Sequence, residues 1–135
     1  MKGTGLSDRQ LIDMAKRAMT NAIASSSGFN VGVTLLAGDG RVFTGCNIEN
    51  PSLMLTICAE RVALYKALSE GVRDFARVVI LANKNPCFPC GSCRQLLLEF
   101  APGVEVVVVG ARGGVKRFRI ERLLPKAFKI SGDSL

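Results

Sequence analysis

The sequence contains no histidine, and this absence removes several common catalytic designs. Without histidine the chain cannot build a Ser-His-Asp or Cys-His nucleophilic centre, nor an all-histidine zinc site. Long apolar runs are also absent: stretches such as residues 106–109 are too short to span a bilayer, so we expect no membrane contact. Residues 1–5 lack the apolar segment of a secretory signal, from which we expect a cytoplasmic protein.

The size and composition favour one soluble domain that spans residues 1–135. Hydrophobic residues make up 48% and charged residues 21% of the chain, and no linker or low-complexity tract interrupts it. The net charge of +7 permits contact with nucleic acid. However, the densest basic cluster, residues 116–119, alternates with apolar positions like the wet face of a strand, so we do not expect a nucleic-acid partner.

Hydrophobic periodicity predicts alternating helices and strands. The predicted strands are residues 31–37, 41–46, 78–82, 104–109 and 115–120. The predicted helices are one that starts with a capping box at Ser7 and Gln10 and continues through Ile23, one over 56–70, one over 90–100, and a short one after residue 120. The order α-β-β-α-β-α-β-β-α indicates an α/β fold in which helices cover both faces of a mixed five-stranded sheet.

The five cysteines are unevenly distributed, with three of them in the segment 87–93. In a reducing compartment such clustering suggests metal ligation. Cys90 and Cys93 are three residues apart at the start of a predicted helix and therefore share a face, and Cys58 stands near the start of another helix. If the two helix starts meet, three thiolates can hold a tetrahedral zinc and leave the fourth position open, as in catalytic zinc sites.

A closed metal site is the alternative explanation of the cysteines. Cys87, Cys90 and Cys93, joined by Cys58, would make a four-cysteine zinc site or hold an iron-sulfur cluster. That hypothesis leaves the nearby Glu60 without a role. We therefore interpret Cys87 as a small buried apolar residue beside the metal site.

Glu60 lies two residues after Cys58, which is roughly 200° around a helix and poor geometry for binding the same metal. It is better placed to move a proton between water and substrate. Arg61 and Arg94 are candidates to offset the negative charge of three thiolates by donating hydrogen bonds to sulfur. A ligand-x-Glu motif followed by a distant Pro-Cys-x-x-Cys is the signature of nucleobase and nucleoside deaminases, in which a zinc-activated water attacks the ring carbon that bears the amino group.

The sequence resembles the cytidine deaminases of the small tetrameric type along nearly its whole length. The matching segments are residues 29–32, 44–50, 55–61, 89–95 and 123–125. The resemblance implies a three-layer α/β/α fold, one catalytic zinc per chain bound by three cysteines, a homotetramer with shared active sites, and a role in pyrimidine salvage. The implied reaction is hydrolytic deamination of the nucleosides cytidine and deoxycytidine to uridine and deoxyuridine, with release of ammonia.

The same resemblance assigns substrate-binding residues. Asn47 and Glu49 match the pair that binds the ribose, and Phe29 matches an aromatic residue that packs on the base. The backbone amide of Ala59 matches one that contacts the base, and Phe128 matches a C-terminal aromatic residue that reaches a neighbouring subunit's site. Considered alone, Asn47 would also suit a turn and Phe29 the core.

Departures from the family pattern cluster around the substrate and leave the zinc motifs intact. They are Ser26, Asn30, Pro51, Leu53, Met54 and Phe88. The nearest alternative is therefore a deaminase of another aminated nucleoside, such as a blasticidin-type antibiotic. A deaminase of RNA or DNA fits less well, because the chain has no added strand-binding domain and its first zinc ligand is cysteine, where those enzymes tend to have histidine.

Overall fold

The computed structural model of the chain describes residues 5–129. Within this range the strands are β1 (Val31–Ala37), β2 (Val42–Cys46), β3 (Phe75–Ala82), β4 (Glu105–Val109) and β5 (Val115–Arg119). The α-helices are α1 (Asp8–Met19), α2 (Ala59–Ser69), α3 (Gly91–Phe100) and α4 (Ile120–Leu123), and a short 3-10 helix covers Leu53–Leu55. None of the helices in this range combines the length and apolar composition that crossing a bilayer requires.

The five strands form one mixed sheet in the order β2-β1-β3-β4-β5. β3 and β4 run parallel, with Val78 opposite Val106, because α3 carries the chain back between them. The other three strand pairs are antiparallel. β1 is buried along its whole length, whereas the edge strand β5 is largely exposed, as its basic residues predict. The predicted mixed five-stranded sheet is confirmed.

Helices cover both faces of the sheet and complete the expected three-layer α/β/α arrangement. α1 packs on one face through Leu11 and Ala15. On the opposite face, α2 packs through Ala63, α3 through Leu97 and α4 through Ile120. The two helices that carry the predicted zinc ligands therefore lie in the same layer and contact each other.

The observed bounds differ from the predicted ones where long-range contacts decide them. α1 ends at Met19, before Ile23, because the backbone of Ile23 pairs with that of Asn47 and Glu49 instead of continuing the helix. β3 begins at Phe75, earlier than predicted, because Phe75 pairs with the end of β1. α2 and α3 begin after their predicted starts, at positions set by the residues that cap them.

Candidate active site

The starts of α2 and α3 bring the three predicted zinc ligands together. Cys58 is the N-cap residue of α2 and Cys90 is that of α3, and both have extended backbone conformations. Cys93 lies in the first turn of α3 and is buried. The three sulfur atoms all lie within 4.8 Å of one another, and the sulfurs of Cys58 and Cys90 are 3.9 Å apart.

This spacing fits one tetrahedral zinc ion. With Zn–S bonds of about 2.3 Å, two sulfurs bound to a tetrahedral zinc lie about 3.8 Å apart. The observed 3.9 Å between the sulfurs of Cys58 and Cys90 agrees with this separation. Three sulfur donors leave one coordination position without a protein ligand, which is the composition of a catalytic rather than a structural zinc site.

Cys87, the candidate fourth ligand, does not join this group. Within residues 5–129, Cys58, Cys90 and Cys93 are the one set of at least three potential ligand residues with metal-binding spacing. The Cys87 thiol instead lies 3.8 Å from the carbonyl oxygen of Phe88, and its side chain packs against the core. Burial is the main cause that raises the pKa of Cys87 to about 12. The observations favour the three-cysteine site over the closed one.

Hydrogen bonding and positive charge stabilise a thiolate at Cys58. A hydrogen bond from Cys93 is the main cause that lowers the pKa of Cys58, and it raises the pKa of Cys93 in turn. The guanidinium of Arg61 also lowers the pKa of Cys58, and its own pKa is raised by that contact, as the sequence suggested. Cys58 and Cys90 stand at helix N-termini, where the helix dipole favours negative charge. These effects favour the thiolate form of Cys58, which is the form that binds a metal ion.

Arg94 binds the backbone and not the sulfurs, contrary to the prediction. Its Nε donates to the carbonyl oxygen of Pro89 at 2.7 Å, and its Nη1 donates to that of Leu123 at 2.8 Å. These two bonds tie the residue before Cys90 to the end of α4. Arg94 thus supports the position of Cys90 through the main chain.

Glu60 lies beside the sulfurs, in the first turn of α2, and is 5% exposed. Burial is the main cause that raises the pKa of Glu60 to about 7, and the charge of Cys58 adds to the shift. The backbone amide of Glu60 and the charge of Arg61 act in the opposite direction. A carboxyl group with a pKa near neutrality can both accept a proton and return it.

A cleft of about 180 Å³ opens beside the sulfurs. Its lining includes seven of the residues that the sequence predicted for the site, both substrate-binding residues and zinc ligands: Phe29, Asn47, Glu49, Cys58, Ala59, Glu60 and Cys90. The lining also includes Phe88, one of the departures expected near the substrate, and four residues to which no substrate contact was assigned, namely Val31, Thr56, Ile57 and Cys87. All of these positions carried a sequence signal: Val31, Thr56 and Ile57 lie in segments that match the family, and Cys87 and Phe88 directly precede the Pro-Cys-x-x-Cys motif.

Asn47 holds the rim of the cleft through its side chain. Its Nδ2 donates to the carbonyl oxygen of Phe29 at 2.8 Å, and its Oδ1 accepts from the backbone N–H of Val31 at 2.9 Å. An amide side chain has two N–H donors and two acceptor lone pairs, so these bonds leave capacity for a ligand. The structure therefore gives Asn47 a role in placing Phe29, in addition to the ligand contact predicted for it.

Glu49 holds the neighbouring part of the same rim. Its carboxylate accepts from the backbone N–H groups of Ser26 at 3.0 Å and Ser27 at 3.2 Å, and from the hydroxyl of Ser27. The Ser27 hydroxyl is the main cause that lowers the pKa of Glu49, so this side chain is ionised at neutral pH. A carboxylate has about four acceptor positions, and three donors leave one for a ligand hydroxyl.

Phe128 lies outside the cleft of its own chain. Its side chain is 70% exposed, and its carbonyl oxygen accepts a hydrogen bond from Nε2 of Gln95 on α3 at 3.1 Å. The described residues that line the cleft do not include it. The contact predicted for this residue would thus have to be made to another molecule.

Known proteins with similar sequences identify the family. The family described as "Cytidine and deoxycytidylate deaminase zinc-binding region" matches residues 6–111. A cytidine deaminase from Halalkalibacterium halodurans is 46% identical over 124 residues, which cover 90% of this chain and 94% of the relative. A cytidine deaminase from Sporosarcina psychrophila is 42% identical over 121 residues, which cover 88% of this chain and 89% of the relative.

Solved structures agree with the sequence matches. The crystal structure of cytidine deaminase from Burkholderia pseudomallei superposes with a TM-score of 0.87 at 42% identity and covers 91% of this chain and 100% of its own. That of cytidine deaminase from Mycobacterium tuberculosis superposes with a TM-score of 0.78 at 32% identity and covers 93% of this chain and 99% of its own. The predicted fold and the predicted resemblance are both confirmed. The chain therefore belongs to the cytidine and deoxycytidylate deaminase zinc-binding family.

Proposed function

We propose that this chain catalyses the zinc-dependent hydrolytic deamination of cytidine and deoxycytidine, which yields uridine or deoxyuridine and ammonia. The observation that carries the proposal is the cleft in which buried Glu60 lies beside the three clustered thiols. Its volume of about 180 Å³ suits the ring end of a nucleoside, with the sugar reaching toward the open rim. Relatives that match nearly the whole chain are named for the same activity.

We assign Cys58, Cys90 and Cys93 as the ligands of one zinc ion per chain. Zinc bound there supplies Lewis-acid chemistry that makes a water molecule reactive at neutral pH. The protein's part is to hold the three sulfurs at fixed positions. The helix N-termini and Arg61 then offset the excess negative charge that three thiolates leave on the site.

Glu60 is the proton carrier in this mechanism. Its carboxylate oxygen takes a proton from the attacking water and returns it to the substrate, where the leaving amino group departs as ammonia. Because burial raises the pKa of Glu60 to about 7, neither the uptake nor the return of the proton is strongly uphill near neutral pH. The low exposure of Glu60 also keeps bulk water away from the proton transfer.

The opposite end of the cleft binds the nucleoside. Asn47 and Glu49 contact the sugar hydroxyls through the donor and acceptor positions that their bonds to the backbone do not use. Phe29, whose backbone is held by Asn47, packs against the base. The backbone amide of Ala59 contacts the edge of the base, since Ala59 lines the cleft beside the sulfurs.

The assembly is a homotetramer in which neighbouring chains complete each other's sites. In support, the 3-10 helix next to the cleft carries three strongly exposed apolar residues: Leu53, Met54 and Leu55 are 82%, 94% and 67% exposed. Apolar surface of this kind beside a site is typical of a subunit contact. Phe128, exposed and remote from its own cleft, would then reach the site of a neighbouring chain.

The cellular role that follows is the salvage of pyrimidine nucleosides in the cytoplasm by a single-domain enzyme. Ammonia release from a substrate panel tests the proposal, with zinc content measured on the same sample. The panel contains cytidine, deoxycytidine, a blasticidin-type antibiotic and a cytosine-containing single-stranded oligonucleotide. We expect cytidine and deoxycytidine to be the preferred substrates. Zinc-loaded protein that deaminates only the antibiotic, or the oligonucleotide as efficiently as cytidine, would contradict the assignment.

A further inference from the structure

Phe88 separates the catalytic cleft from a second, larger cleft. The second cleft has a volume of about 290 Å³ and lies between the loop that precedes Cys90 and the edge strand β5. Its lining residues are Pro86, Phe88, Val108, Gly110, Gly114, Val115 and Lys116. Among residues 5–129, Phe88 is the one that lines both clefts, so its side chain forms part of the wall between them.

The ring of Phe88 is held in this wall by its neighbours. It packs on the ring of Phe118 from β5, with a centroid separation of 5.8 Å and an angle of 59° between the ring planes. This is the tilted arrangement that aromatic pairs favour. The following residue, Pro89, is buried and fixes the backbone there, and its carbonyl oxygen is bound by Arg94. With a cleft on each side of it, Phe88 is an exposed apolar residue, 40% accessible to solvent.

The wall stands at the end of the cleft where the reaction takes place. Phe88 is two residues from Cys90, and both line the cleft together with Glu60. Asn47 and Glu49 mark the other, sugar-binding end. In the proposed orientation the reacting ring carbon, and the amino group that leaves from it, point toward the sulfurs and toward the wall.

The geometry points to Phe88 as a specificity-determining residue that excludes substituents on the leaving amino group. This inference rests on the proposed function. In the reaction, the oxygen of water bonds to the ring carbon and the carbon–nitrogen bond breaks. One proton of the water leaves with the amine, and the other ends on the adjacent ring nitrogen of the product. Ammonia departs from cytidine, and an alkylamine would depart from an N4-alkylcytidine. The same chemistry therefore applies to both substrates, and only the space beside the nitrogen differs.

Replacing Phe88 with serine should join the two clefts at this point. The second cleft offers apolar walls, such as Val108 and Val115, against which an alkyl chain can pack. One methylene group that a pocket accommodates or rejects changes kcat/KM by about 10-fold to 200-fold. The Phe88→Ser variant should therefore favour long alkyl substituents over short ones far more than the wild type does.

The test compares kcat/KM for N4-butylcytidine with kcat/KM for N4-methylcytidine, because both substrates release an alkylamine. We expect Phe88→Ser to raise the butyl-to-methyl ratio by at least about 10-fold. The matched control is Phe100→Ser, which makes the same change at an aromatic residue of similar exposure, 38%, at the far end of α3. The control should keep the wild-type ratio. Phe88→Leu, which keeps an apolar side chain, replaces Phe88→Ser if the serine variant does not fold, and it should shift the ratio in the same direction.

The outcomes separate this inference from the proposed function. A wild-type protein that binds zinc but does not deaminate cytidine would overturn the proposed function and this inference with it. Normal cytidine turnover with the same butyl-to-methyl ratio in Phe88→Ser as in the wild type would overturn the inference alone. A wild-type protein that already processes the butyl substrate as well as the methyl one would also overturn it.

Discussion

At Gly45 in β2, the sheet lies close to the backbone of α2, the helix that carries Glu60 and is capped by Cys58. A Cβ added to Gly45 would lie 2.4 Å from the carbonyl oxygen of Ala59 and 2.7 Å from the backbone nitrogen of Ala63. Both atoms belong to the helix backbone, so no flexible side chain can move aside. In Gly45→Ala the start of α2 must therefore shift away from β2, and the residues of the site shift with it.

The expected size of the effect follows from the overlap. Ordinary contacts begin at 3.4 Å, so the helix has to move by about 1 Å near Ala59. Overpacking of this kind costs about 1–3 kcal/mol of folding free energy. At about 4 °C per kcal/mol for a chain of this size, the Tm should fall by about 4–12 °C. A misplacement of about 1 Å in a catalytic site can lower the rate by about 100-fold.

Two other glycines make the comparison specific. A Cβ on Gly32 would lie 2.0 Å from the carbonyl oxygen of Ala15, so Gly32→Ala displaces α1, which packs on the face of the sheet away from the site. A Cβ on Gly114 would meet no atom within 4 Å, so Gly114→Ala should be close to neutral. The assays are thermal unfolding, zinc content and kcat/KM for cytidine, all at a temperature where every variant is folded.

We expect Gly32→Ala and Gly45→Ala both to lower the Tm, but only Gly45→Ala to weaken zinc retention and lower kcat/KM by about 100-fold. Equal losses of activity in the two folded variants would refute the reasoning, because α1 does not contribute to the site. Normal stability of Gly45→Ala would refute it as well, since the overlap with the α2 backbone could then not exist.

Three further predictions concern single side chains. Cys58→Ser should lose its zinc whereas Cys87→Ser keeps it, as elemental analysis of the two purified proteins would reveal; the opposite pattern would contradict the ligand assignment. The family that the sequence resembles offers a tyrosine to the sugar at the position of Leu53, so Leu53→Tyr should raise kcat/KM for cytidine about threefold to tenfold, the value of one neutral hydrogen bond. Unchanged kinetics in a correctly assembled protein would mean that this position does not face the sugar. Glu60→Gln should raise the free energy of unfolding of the zinc-free protein at pH 8 by up to about 3 kcal/mol, because the raised pKa of Glu60 means that its ionised form destabilises the folded state. The gain should shrink as the pH falls from 7 toward 4.5, the pKa of Glu60 in the unfolded chain, and urea titrations at several pH values would measure it.

The sequence was sufficient for features that depend on local pattern. β1 has the predicted bounds, because Val31–Ala37 is apolar except for Thr34 and stays buried along its whole length. The start of α3 was nearly correct, since Cys90 caps it directly. The metal cluster was also predictable, because ligand type and spacing restrict it and the fold needed only to bring two helix starts together.

Features that depend on distant contacts were not predictable. Helical periodicity continues to Ile23, yet backbone pairing with Asn47 and Glu49 ends α1 earlier. The sequence position of Arg94 suggested that it donates hydrogen bonds to the cysteine sulfurs. Its guanidinium instead donates to two backbone carbonyl oxygens that are far apart in the chain. The same limit applies to Phe88, whose place between two clefts depends on its packing against Phe118 of β5, thirty positions later in the chain.

The most direct test of the central claim pairs the wild type with Glu60→Gln, because glutamine keeps the shape of the side chain and removes its proton chemistry. Both proteins are assayed for zinc content and for ammonia release from cytidine. We predict one zinc per chain in both proteins and turnover of cytidine in the wild type. In the variant, the rate of ammonia release should fall by about 100-fold to 10,000-fold. A zinc-loaded Glu60→Gln protein that turns over cytidine at the wild-type rate would contradict the account.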